Sequence, residues 1–337
     1  MSMSFWKDKK VLVTGGAGMV GSYLTEWLVR DGAQVTVADN LSSGKLEYLK
    51  AVLDDISFHP IDLADLANCE RVCQGQEVVF NLAAKVTGIG FNITHHAEMF
   101  ESNMLLQQNV IHAAAGQRVK RFVQVSTACV YPHDAAVPTP ESEGTRGEPE
   151  PTNRGYGWAK RMGERLAEYY TRETEMEAVI VRPFNAYSPR DHFDPEMCHV
   201  IPALIHKIFE GNNPIEIWGS GNQSRVFVHA KDVARGMQLL AEHAQPADPV
   251  NIGHEQMITI RELFELISDT IGLNVRAFFD SSKPEGYPKR AADTTKFRTL
   301  TGYSPVIPLR KGIAETIAAY QTQRRPRRPL QPLFPRL

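Results

Sequence analysis

The sequence predicts an α/β protein in which a doubly wound parallel sheet forms the main domain and a smaller mixed α/β lobe follows it. Three observations lead to this prediction. Apolar strand segments alternate with amphipathic helical segments through the first half of the chain, a glycine-rich turn joins the first strand to the first helix, and the second strand ends in an acidic residue. Such alternation is typical of βαβ units, whose parallel strands carry helices on both faces.

The predicted elements of the first half follow one another in regular order. Short apolar runs predict strands, and longer segments with apolar residues at helical spacing predict helices. The predicted strands are 10–13, 34–38, 56–59, 78–84, 121–126 and 178–181, and the predicted helices are 22–30, 65–74, 99–115 and 156–170. A loop rich in proline, glutamate and glycine covers residues 138–151. Ligands of such sheets bind beyond the carboxyl ends of the strands, so we expect the functional residues there.

The turn after the first strand carries a dinucleotide-binding glycine pattern. Gly16, Gly18 and Gly21 fit G-x-G-x-x-G, and Gly15, Gly18 and Gly21 fit the related G-x-x-G-x-x-G. Glycines here allow a tight turn and the close approach of a pyrophosphate to the helix N-terminus, whose free N–H groups favour negative charge. Asp39 ends the second strand, where a carboxylate can bind the adenosine ribose hydroxyls. The pattern predicts a Rossmann-type domain that binds NAD.

The alternation becomes less regular after about residue 191. We expect a helix over 200–210, strands over 215–218 and 226–228, and a helix that begins after Asp232. Thr259 and Glu262 have the spacing of a capping box, which predicts the start of a helix that runs to Ile271.

These boundaries suggest a division of the chain into domains. We expect an NAD-binding domain over 1–190, to which residues of about 223–256 return, and a smaller C-terminal lobe over 191–320. The segment 321–337 is rich in proline and arginine, cannot stay helical for long, and is expected to be a loose tail.

Composition excludes several classes of protein. The chain of 337 residues is 42% hydrophobic and 23% charged, and its net charge of −2 gives no general reason to expect nucleic acid or an anionic membrane as a partner. We find no apolar run long enough to span a bilayer and no apolar region of a signal peptide, so we expect a cytoplasmic protein. The four cysteines are too few for a disulfide framework, and Cys69 and Cys73 lack the second pair that a zinc site needs, so no metal is predicted.

Residues suited to proton transfer occur beyond the glycine turn. Tyr156 and Lys160 are four apart on one helix face. A nearby ammonium favours the phenolate, so we expect Lys160 to lower the pKa of Tyr156 towards the range of a general base. Thr127, at the end of a parallel strand, could donate a hydrogen bond from its hydroxyl group to the substrate oxygen that Tyr156 deprotonates. This combination indicates hydride transfer at a carbinol carbon.

Four segments resemble the extended short-chain dehydrogenase/reductase superfamily, and they are Thr14–Gly21, Asn81–Ala84, Ser126–Tyr131 and Tyr156–Lys160. That superfamily includes nucleotide-sugar epimerases, dehydratases and reductases. The resemblance therefore implies an enzyme that binds a nicotinamide cofactor and a nucleotide sugar.

A narrower resemblance is to the GDP-L-fucose synthases, which are 3,5-epimerase/4-reductases. It rests on four segments, Cys129–Pro132, Asn185–Pro195, His199–Leu204 and Ser282–Gly286. The region around Cys129 and the segment Ala84–Gly90 are also similar to the GDP-mannose 3,5-epimerases.

The resemblance implies a role for particular residues. Thr127, Tyr156 and Lys160 match the hydride-transfer triad, and Cys129 and His199 match the acid/base pair that inverts carbons beside a ketone. A thiol and an imidazole both titrate close enough to neutral pH for that work. The structural alternatives are a small buried cysteine after a strand and a histidine at the start of a helix.

Binding residues are implied in the same way. Besides Tyr156 and Lys160, the implied cofactor contacts are Gly15, Gly18, Met19, Val20, Gly21, Asp39, Asn40, Asp62, Leu63, Leu82, Ala83 and Ala84. The implied substrate contacts are Lys85, Asn185, His199, Lys207, Arg225 and Lys283, several of which would face the diphosphate.

Two departures from the narrower families bear on function. Ala17 stands where GDP-L-fucose synthases carry an arginine suited to the 2′-phosphate of NADPH, and Asp39 would repel that phosphate, so we expect NAD. His199 stands near the place where GDP-mannose 3,5-epimerases have a lysine. The chain thus combines an NAD-type cofactor site with a Cys/His pair.

We interpret the sequence as an NAD-dependent nucleotide-sugar epimerase that acts on a GDP-hexose or GDP-heptose and inverts C3, C5 or both through a transient 4-keto sugar. The alternatives are an epimerase/reductase of the GDP-L-fucose synthase type, a UDP-sugar 4-epimerase, and a dinucleotide-sensing regulator with no catalytic activity. The family also implies a homodimer formed through the predicted helices 99–115 and 157–170.

Overall fold

The computed structural model describes residues 4–194, 198–211 and 213–324. Its centre is a seven-stranded sheet in which every pair of neighbouring strands is parallel. The strands are β1 (Lys10–Thr14), β2 (Gln34–Ala38), β3 (Ile56–His59), β4 (Val78–Asn81), β5 (Arg121–Val125), β6 (Glu177–Pro183), β7 (Ala186–Tyr187), β8 (Ile215–Trp218), β9 (Ser224–Arg225), β10 (Val228–His229), β11 (Val250–Ile252), β12 (Ile258–Thr259), β13 (Ala277–Asp280) and β14 (Lys289–Arg290).

The strand order in the central sheet is β11-β6-β5-β4-β1-β2-β3. The chain therefore winds in one direction from β1 to β3 and in the other from β4 to β11. The point of reversal lies between β1 and β4, and ligands of open α/β sheets bind at the carboxyl ends of the strands at such a point. The predicted fold class is confirmed.

Helices cover both faces of this sheet and build the smaller lobe. They are α1 (Met19–Arg30), α2 (Leu66–Cys73), α3 (Ile89–Thr94), α4 (His96–Gly116), α5 (Arg154–Glu173), α6 (Val200–Phe209), α7 (Ala230–His243), α8 (Ile260–Ile271), α9 (Thr295–Thr301) and α10 (Leu309–Arg324). No helix in the described ranges combines the length and the apolar character that a membrane span needs.

Two apolar cores lie on opposite faces of the sheet. Val11 and Val13 of β1 point into the core beneath α1 and α7, whereas Leu12 points into the core beneath α2, α4 and α5. Strands that are buried on both faces read as continuous apolar runs, which explains why they were predictable from the sequence. Phe297 of α9 also belongs to the first core, although α9 falls in the range that we assigned to the smaller lobe.

The smaller lobe has its own apolar core. It is formed mainly by α6, α8, α10 and β8, with Ile205, Phe264 and Ile317 among its buried residues. Short strand groups complete the lobe: β8 pairs with β13, and β9 lies between β12 and β14. The capping box that begins α8 is present, because Thr259 and Glu262 exchange side-chain and backbone hydrogen bonds.

Several boundaries differ from the prediction. The expected strand over 226–228 is instead two two-residue strands, β9 and β10, on either side of Val226 and Phe227. The helix that we expected after Asp232 begins at Ala230, because the His229 side chain accepts a hydrogen bond from the Lys231 N–H and caps it.

Other differences concern lengths. Helix α1 begins at Met19, immediately after the glycine turn, and β4 ends at Asn81, so residues 82–84 form a loop. The sequence did not predict α10, which includes residues 321–324 of the expected tail. The rest of that tail, 325–337, lies outside the described residues.

A buried ion pair fixes α5 to the sheet. Glu164 of α5 accepts hydrogen bonds from Arg182 of β6 at 2.8 and 2.7 Å, and their side chains are 5% and 1% exposed. Ser126 also donates to Glu164, and Arg182 donates to the Tyr131 hydroxyl group at 3.1 Å. Because α5 carries Tyr156 and Lys160, this network determines where both lie relative to the strand ends.

Removing one partner of this pair is expected to destabilise the fold. Arg182→Met leaves the Glu164 carboxylate buried without its cation, which costs about 3–5 kcal/mol of unfolding free energy. The matched control is Arg298→Met, since Arg298 pairs with Glu255 in solvent and the pair is 46% and 62% exposed. That control should change stability by no more than about 0.5 kcal/mol. Urea denaturation of both variants measures the difference, and equal losses would contradict the assignment.

Candidate active site

The glycine turn forms a cradle that a side chain would fill. Gly15 has φ +66°, which favours glycine, and a Cβ on Gly21 would lie 2.2 Å from the Gly15 carbonyl oxygen. Gly18 precedes α1, whose first turn has neither a capping side chain nor an acidic residue. The N–H groups of the first residues of α1, which include Met19 and Val20, therefore remain available to an anionic group. This arrangement fits the pyrophosphate of a dinucleotide.

Asp39 lies beside this turn. Its carboxylate accepts hydrogen bonds from the N–H groups of Ala17 at 2.9 Å and Leu41 at 2.8 Å, and the residue is 7% exposed. Burial raises the pKa of Asp39, and the two backbone hydrogen bonds oppose that effect. Each oxygen keeps a lone pair that can accept a ribose hydroxyl. The structure thus brings Ala17 and Asp39 into direct contact.

The other predicted cofactor residues lie at the carboxyl ends of neighbouring strands. Asn40 follows β2, Asp62 and the buried Leu63 follow β3, and Leu82–Ala84 follow β4. The Ala83 N–H donates to the Thr14 hydroxyl group at 3.1 Å, which holds this loop against the glycine turn. These residues fit a dinucleotide laid across the carboxyl edge of the sheet.

The residues predicted for hydride transfer lie on α5 and just after the end of β5. Thr127 follows β5, and its hydroxyl group accepts a hydrogen bond from the Cys129 N–H at 3.2 Å. Lys160 is buried, donates to the Val125 carbonyl oxygen at 3.0 Å, and lies 5.7 Å from the centre of the Tyr156 ring. Burial lowers the pKa of Lys160 to about 8.

The expectation that Lys160 lowers the pKa of Tyr156 is wrong for this structure. Burial raises the pKa of Tyr156, the Cys129 side chain adds to the increase, and the positive group that opposes it is Arg290. The reason is geometric, because Lys160 directs its ammonium group to the backbone of β5 and not to the phenol.

Cys129 lies in a short turn after Thr127 and is half-buried. Arg290 of β14 donates to its sulfur at 3.4 Å, and the Arg290 guanidinium lies 4.8 Å from the centre of the Tyr287 ring. Arg290 thus places a positive group beside a partly exposed thiol. Sequence reasoning missed Arg290, whose only signal was its position shortly after the segment Ser282–Gly286.

His199 immediately precedes α6 and belongs to a second group of residues. Its Nδ1 atom lies 3.0 Å from the carboxylate of Asp191, which is 2% exposed, whereas the His199 side chain is 40% exposed. The negative charge of Asp191 raises the pKa of His199, against the effect of burial. Within the described residues no hydrogen bond or ion pair joins His199 to Cys129. Asp191 was also missed, although it lies inside the segment Asn185–Pro195.

The predicted substrate residues differ in the protein groups that they contact. Lys85 forms an ion pair with Glu98, and Asn185 donates to the Val226 carbonyl oxygen at 2.8 Å. Arg225 donates to backbone carbonyls of Ser224, Glu285 and Tyr287, so it also holds the loop before β14 in place. Burial lowers the pKa of Arg225 to about 10.

The remaining two predicted contacts flank β8. Lys207 of α6 donates to the Glu216 carbonyl oxygen at 2.7 Å, and the exposed Lys283 lies 5.8 Å from the centre of the Trp218 ring. A cleft of about 390 Å³ is lined by Lys207 and residues 213–216. No group of acidic, histidine and cysteine side chains suited to a metal ion occurs in the described ranges.

The cradle predicts a sharp effect of one methyl group. Gly21→Ala places a Cβ against the Gly15 backbone, so the turn must open and NAD should bind at least about tenfold more weakly. Gly116→Ala is the matched control, because a Cβ there meets nothing within 4 Å at the end of α4. Calorimetric titration of NAD into both variants measures the effect. If Gly21→Ala binds NAD as the unmodified protein does, the cradle does not hold the cofactor.

Comparison with known proteins agrees with this geometry. Residues 11–253 match the NAD dependent epimerase/dehydratase family. The chain is 35% identical to the GDP-L-fucose synthase of Escherichia coli (strain K12), over 91% of this chain and 95% of that one. It is 29% identical to GDP-mannose 3,5-epimerase 1 of Oryza sativa subsp. japonica, over 93% and 82%. The structure of a Thermotoga maritima UDP-glucose 4-epimerase with UDP-glucose superimposes with a TM-score of 0.83 at 28% identity, covering 93% of this chain and 99% of that one.

The family match covers well over half of the chain, and the relatives are matched over most of their length. The glycine cradle and Asp39 lie at the carboxyl edge of the sheet, inside the matched range. This chain belongs to the NAD dependent epimerase/dehydratase family.

Proposed function

We propose that this enzyme is an NAD-dependent nucleotide-sugar epimerase that acts on a GDP-linked hexose or heptose and inverts C3, C5 or both through a transient 4-keto sugar. One observation carries the proposal. In addition to the hydride-transfer residues, the chain has two proton-transfer groups with charged partners, Cys129 with Arg290 at 3.4 Å and His199 with Asp191 at 3.0 Å. Inversion of C4 alone needs no such groups.

The proposed chemistry begins at C4. The glycine cradle and Asp39 would hold NAD, which when bound would accept a hydride from C4 and later return it. Tyr156 takes the proton of the C4 hydroxyl group as that oxygen becomes a carbonyl, and gives it back when the alcohol re-forms. Thr127 would hydrogen-bond the same oxygen. Arg290, whose charge opposes the rise in the pKa of Tyr156, supports the phenolate form.

Inversion follows at the carbons beside the ketone. The carbonyl acidifies the hydrogens on C3 and C5, so a base can break one of these C–H bonds and leave an enediolate. Cys129 removes the proton onto its sulfur, and His199 forms the new C–H bond from the opposite face by giving up its Nε2 proton. The sugar gains and loses one proton, and the reaction is redox-neutral over the whole cycle.

The diphosphate is proposed to lie near β8. Lys207 reaches the start of this strand, Lys283 lies beside its last residue, and Arg225 follows shortly after it. Together with Asn185 they would surround a nucleoside diphosphate with donors, and the cleft beside Lys207 has room for part of the nucleotide.

A second candidate is an epimerase/reductase that consumes a reduced cofactor, and the similarity to the Escherichia coli GDP-L-fucose synthase favours it. Against it stands Asp39, whose carboxylate accepts a hydrogen bond from the Ala17 N–H and would repel the 2′-phosphate of NADPH. A UDP-sugar 4-epimerase is supported by the structural similarity, but it leaves Cys129 and His199 without a role.

We also propose that the enzyme is a cytoplasmic homodimer. Helices α4 and α5 pack side by side and expose large apolar side chains, namely Phe100, Leu105 and Tyr169. Burial of these residues against a second copy would remove them from water. All four cysteines are free, which suits a reducing compartment.

The cofactor site predicts a preference that can be titrated. NAD should bind at least about tenfold more tightly than NADP, because the Asp39 carboxylate repels the 2′-phosphate. Asp39→Asn should reduce this ratio, whereas Asp54→Asn, which removes the same charge from an exposed position, should leave it unchanged. Calorimetry with cofactor-free protein gives the ratios. Equal or tighter binding of NADP by the unmodified protein would favour the reductase.

Solvent exchange tests the proposed reaction itself. The protein is mixed with GDP-, UDP-, CDP- and dTDP-linked sugars in deuterium oxide, and deuterium at each carbon is read by NMR. We expect incorporation at C3 or C5 of a GDP-sugar. Cys129→Ser should slow it by about 10²-fold, because a hydroxyl is far less acidic than a thiol and supplies almost no anionic base near neutral pH, while the nicotinamide absorbance change on mixing persists.

Two variants control this measurement. Cys198→Ser removes a buried thiol that has no proposed role and should leave exchange intact. Tyr156→Phe should suppress both exchange and the absorbance change, since no ketone forms without the base. Unchanged exchange at C3 and C5 in both Cys129→Ser and His199→Asn would rule out these two residues and favour C4 epimerisation or reduction.

A further inference from the structure

The Asp191 carboxylate is buried and faces two N–H donors. Its oxygens accept a hydrogen bond from the His192 N–H at 2.8 Å and lie 3.1 and 3.0 Å from Nδ1 of His199. The residue is 2% exposed, and a buried carboxylate without such donors would be strongly unfavourable. The carboxylate therefore requires a proton on Nδ1. Nε2 is then the ring nitrogen of His199 that remains for proton transfer.

The segment that carries Asp191 is fixed to the helix that follows the glycine turn. Its neighbour Arg190 donates to the Ser22 hydroxyl group at 2.9 Å, pairs with Glu26, and stacks on Tyr23 with 3.8 Å between the guanidinium carbon and the ring centre. Ser22, Tyr23 and Glu26 all belong to α1. The position of the carboxylate is thus set by the main domain, although His199 itself leads into α6 of the smaller lobe.

Other titratable groups near His199 do not replace Asp191. His192 is on the same segment, and burial lowers its pKa, with Lys45 acting in the same direction. Asp194, on the same segment, is exposed. Burial raises the pKa of the thiol of Cys198, the residue directly before His199. The carboxylate that acts directly on His199, by charge and by hydrogen bond, is Asp191, and it raises the pKa of His199.

We propose that Asp191 is a positioning residue for the inversion step: it holds the His199 ring by Nδ1 so that Nε2 is the atom that delivers a proton to the sugar carbon. The inference rests on the proposed function for its chemical meaning. In that step the Nε2–H bond of the imidazolium breaks and a C–H bond forms, while the Nδ1 proton stays between His199 and Asp191. The carboxylate neither gains nor loses a proton.

The proposal makes His199 the acid and leaves the role of base to Cys129, beside Arg290. A negative carboxylate on Nδ1 favours the imidazolium, which is the form that can donate. Without the carboxylate, the His199 imidazolium should therefore lose its proton at a lower pH. The alkaline limb of the exchange profile moves down in pH, and the acidic limb stays where it is.

The first test needs no substrate. NMR follows the ring C–H resonance of His199, assigned by its absence in His199→Asn, through a pH titration. In Asp191→Asn its midpoint should fall by about one pH unit or more. His192→Asn is the matched control, because it removes a neighbouring imidazole of like charge from the same segment and should not lower the midpoint. An unchanged midpoint in Asp191→Asn overturns the proposal whatever the reaction proves to be.

The second test uses the holoenzyme and a GDP-sugar that exchanges deuterium. Asp191→Asn should reduce exchange at C3 or C5 by about 10- to 10²-fold above neutral pH, with its alkaline limb shifted down, and keep the nicotinamide absorbance change. A merely structural defect would lower deuterium exchange and the absorbance change equally and would shift neither limb of the pH profile. That result would refute the positioning role. A shift confined to the acidic limb would refute it as well.

A longer carboxylate separates charge from position and remains informative if Asp191→Asn does not fold. Asp191→Glu keeps the negative charge but displaces the ring, so the His199 midpoint should stay high while exchange falls. Full activity in Asp191→Glu would show that charge alone matters and would overturn the positioning role. If no nucleotide sugar exchanges deuterium at all, the proposed function fails, yet the titration still decides whether Asp191 governs His199.

Discussion

Burial of the central sheet on both faces is the constraint on which the rest of the structure depends. Val11 and Val13 point into one apolar core and Leu12 into the other, so the middle of β1 has no room for a functional polar group. Polar side chains that must reach a ligand can therefore emerge only where the strands end. Asp39 and Thr127 both follow a parallel strand at this edge, where the proposed cofactor and hydride-transfer groups would lie side by side.

Buried polar contacts connect that edge to α5. Thr14 donates to Asn81 at 3.0 Å, Asn81 donates to Gln124 at 3.2 Å, and Gln124 donates to Gln107 at 3.0 Å, which in turn donates to the Ala159 carbonyl oxygen. The chain of hydrogen bonds crosses β1, β4 and β5 and ends beside Lys160. Since each buried donor has its acceptor, the network specifies one arrangement of the strand ends and the helix. The Glu164–Arg182 pair acts on the same helix from β6.

The sequence predicted those features that depend on local pattern. The bounds of β2 and β3 agree because apolar runs of this kind are read over a few residues, and the capping box of α8 needs only Thr259 and Glu262. The two-residue strands β9 and β10 were not predicted, because they are defined by pairing with distant strands and not by composition. The start of α7 was missed because a histidine side chain caps it, which is a less common choice than serine or aspartate.

The candidate site shows the same division between local and distant information. Motifs and resemblance identified Tyr156, Cys129 and His199 one by one, but not what stands beside each of them. Arg290 reaches Cys129 from the far end of the chain, and the Lys160 ammonium group turns to the backbone of β5 although its spacing from Tyr156 suggested otherwise. Spacing along a helix establishes which residues share a face, whereas the pKa of a phenol depends on burial and on charges that tertiary structure brings to it.

The partners of Cys129 and His199 are opposite in charge, and under the proposed function this difference would give the two groups different tasks. Arg290 sets a positive charge beside a thiol, and Asp191 sets a negative charge beside an imidazole. Two proton-transfer groups with the same kind of neighbour would favour the same protonation behaviour and could not easily divide the work of base and acid. Environments that push such groups apart are how a site assigns removal of a proton to one side chain and delivery to the other. Because Arg190 fastens the Asp191 segment to α1, the carboxylate beside His199 is held by the same helix that begins at the glycine turn.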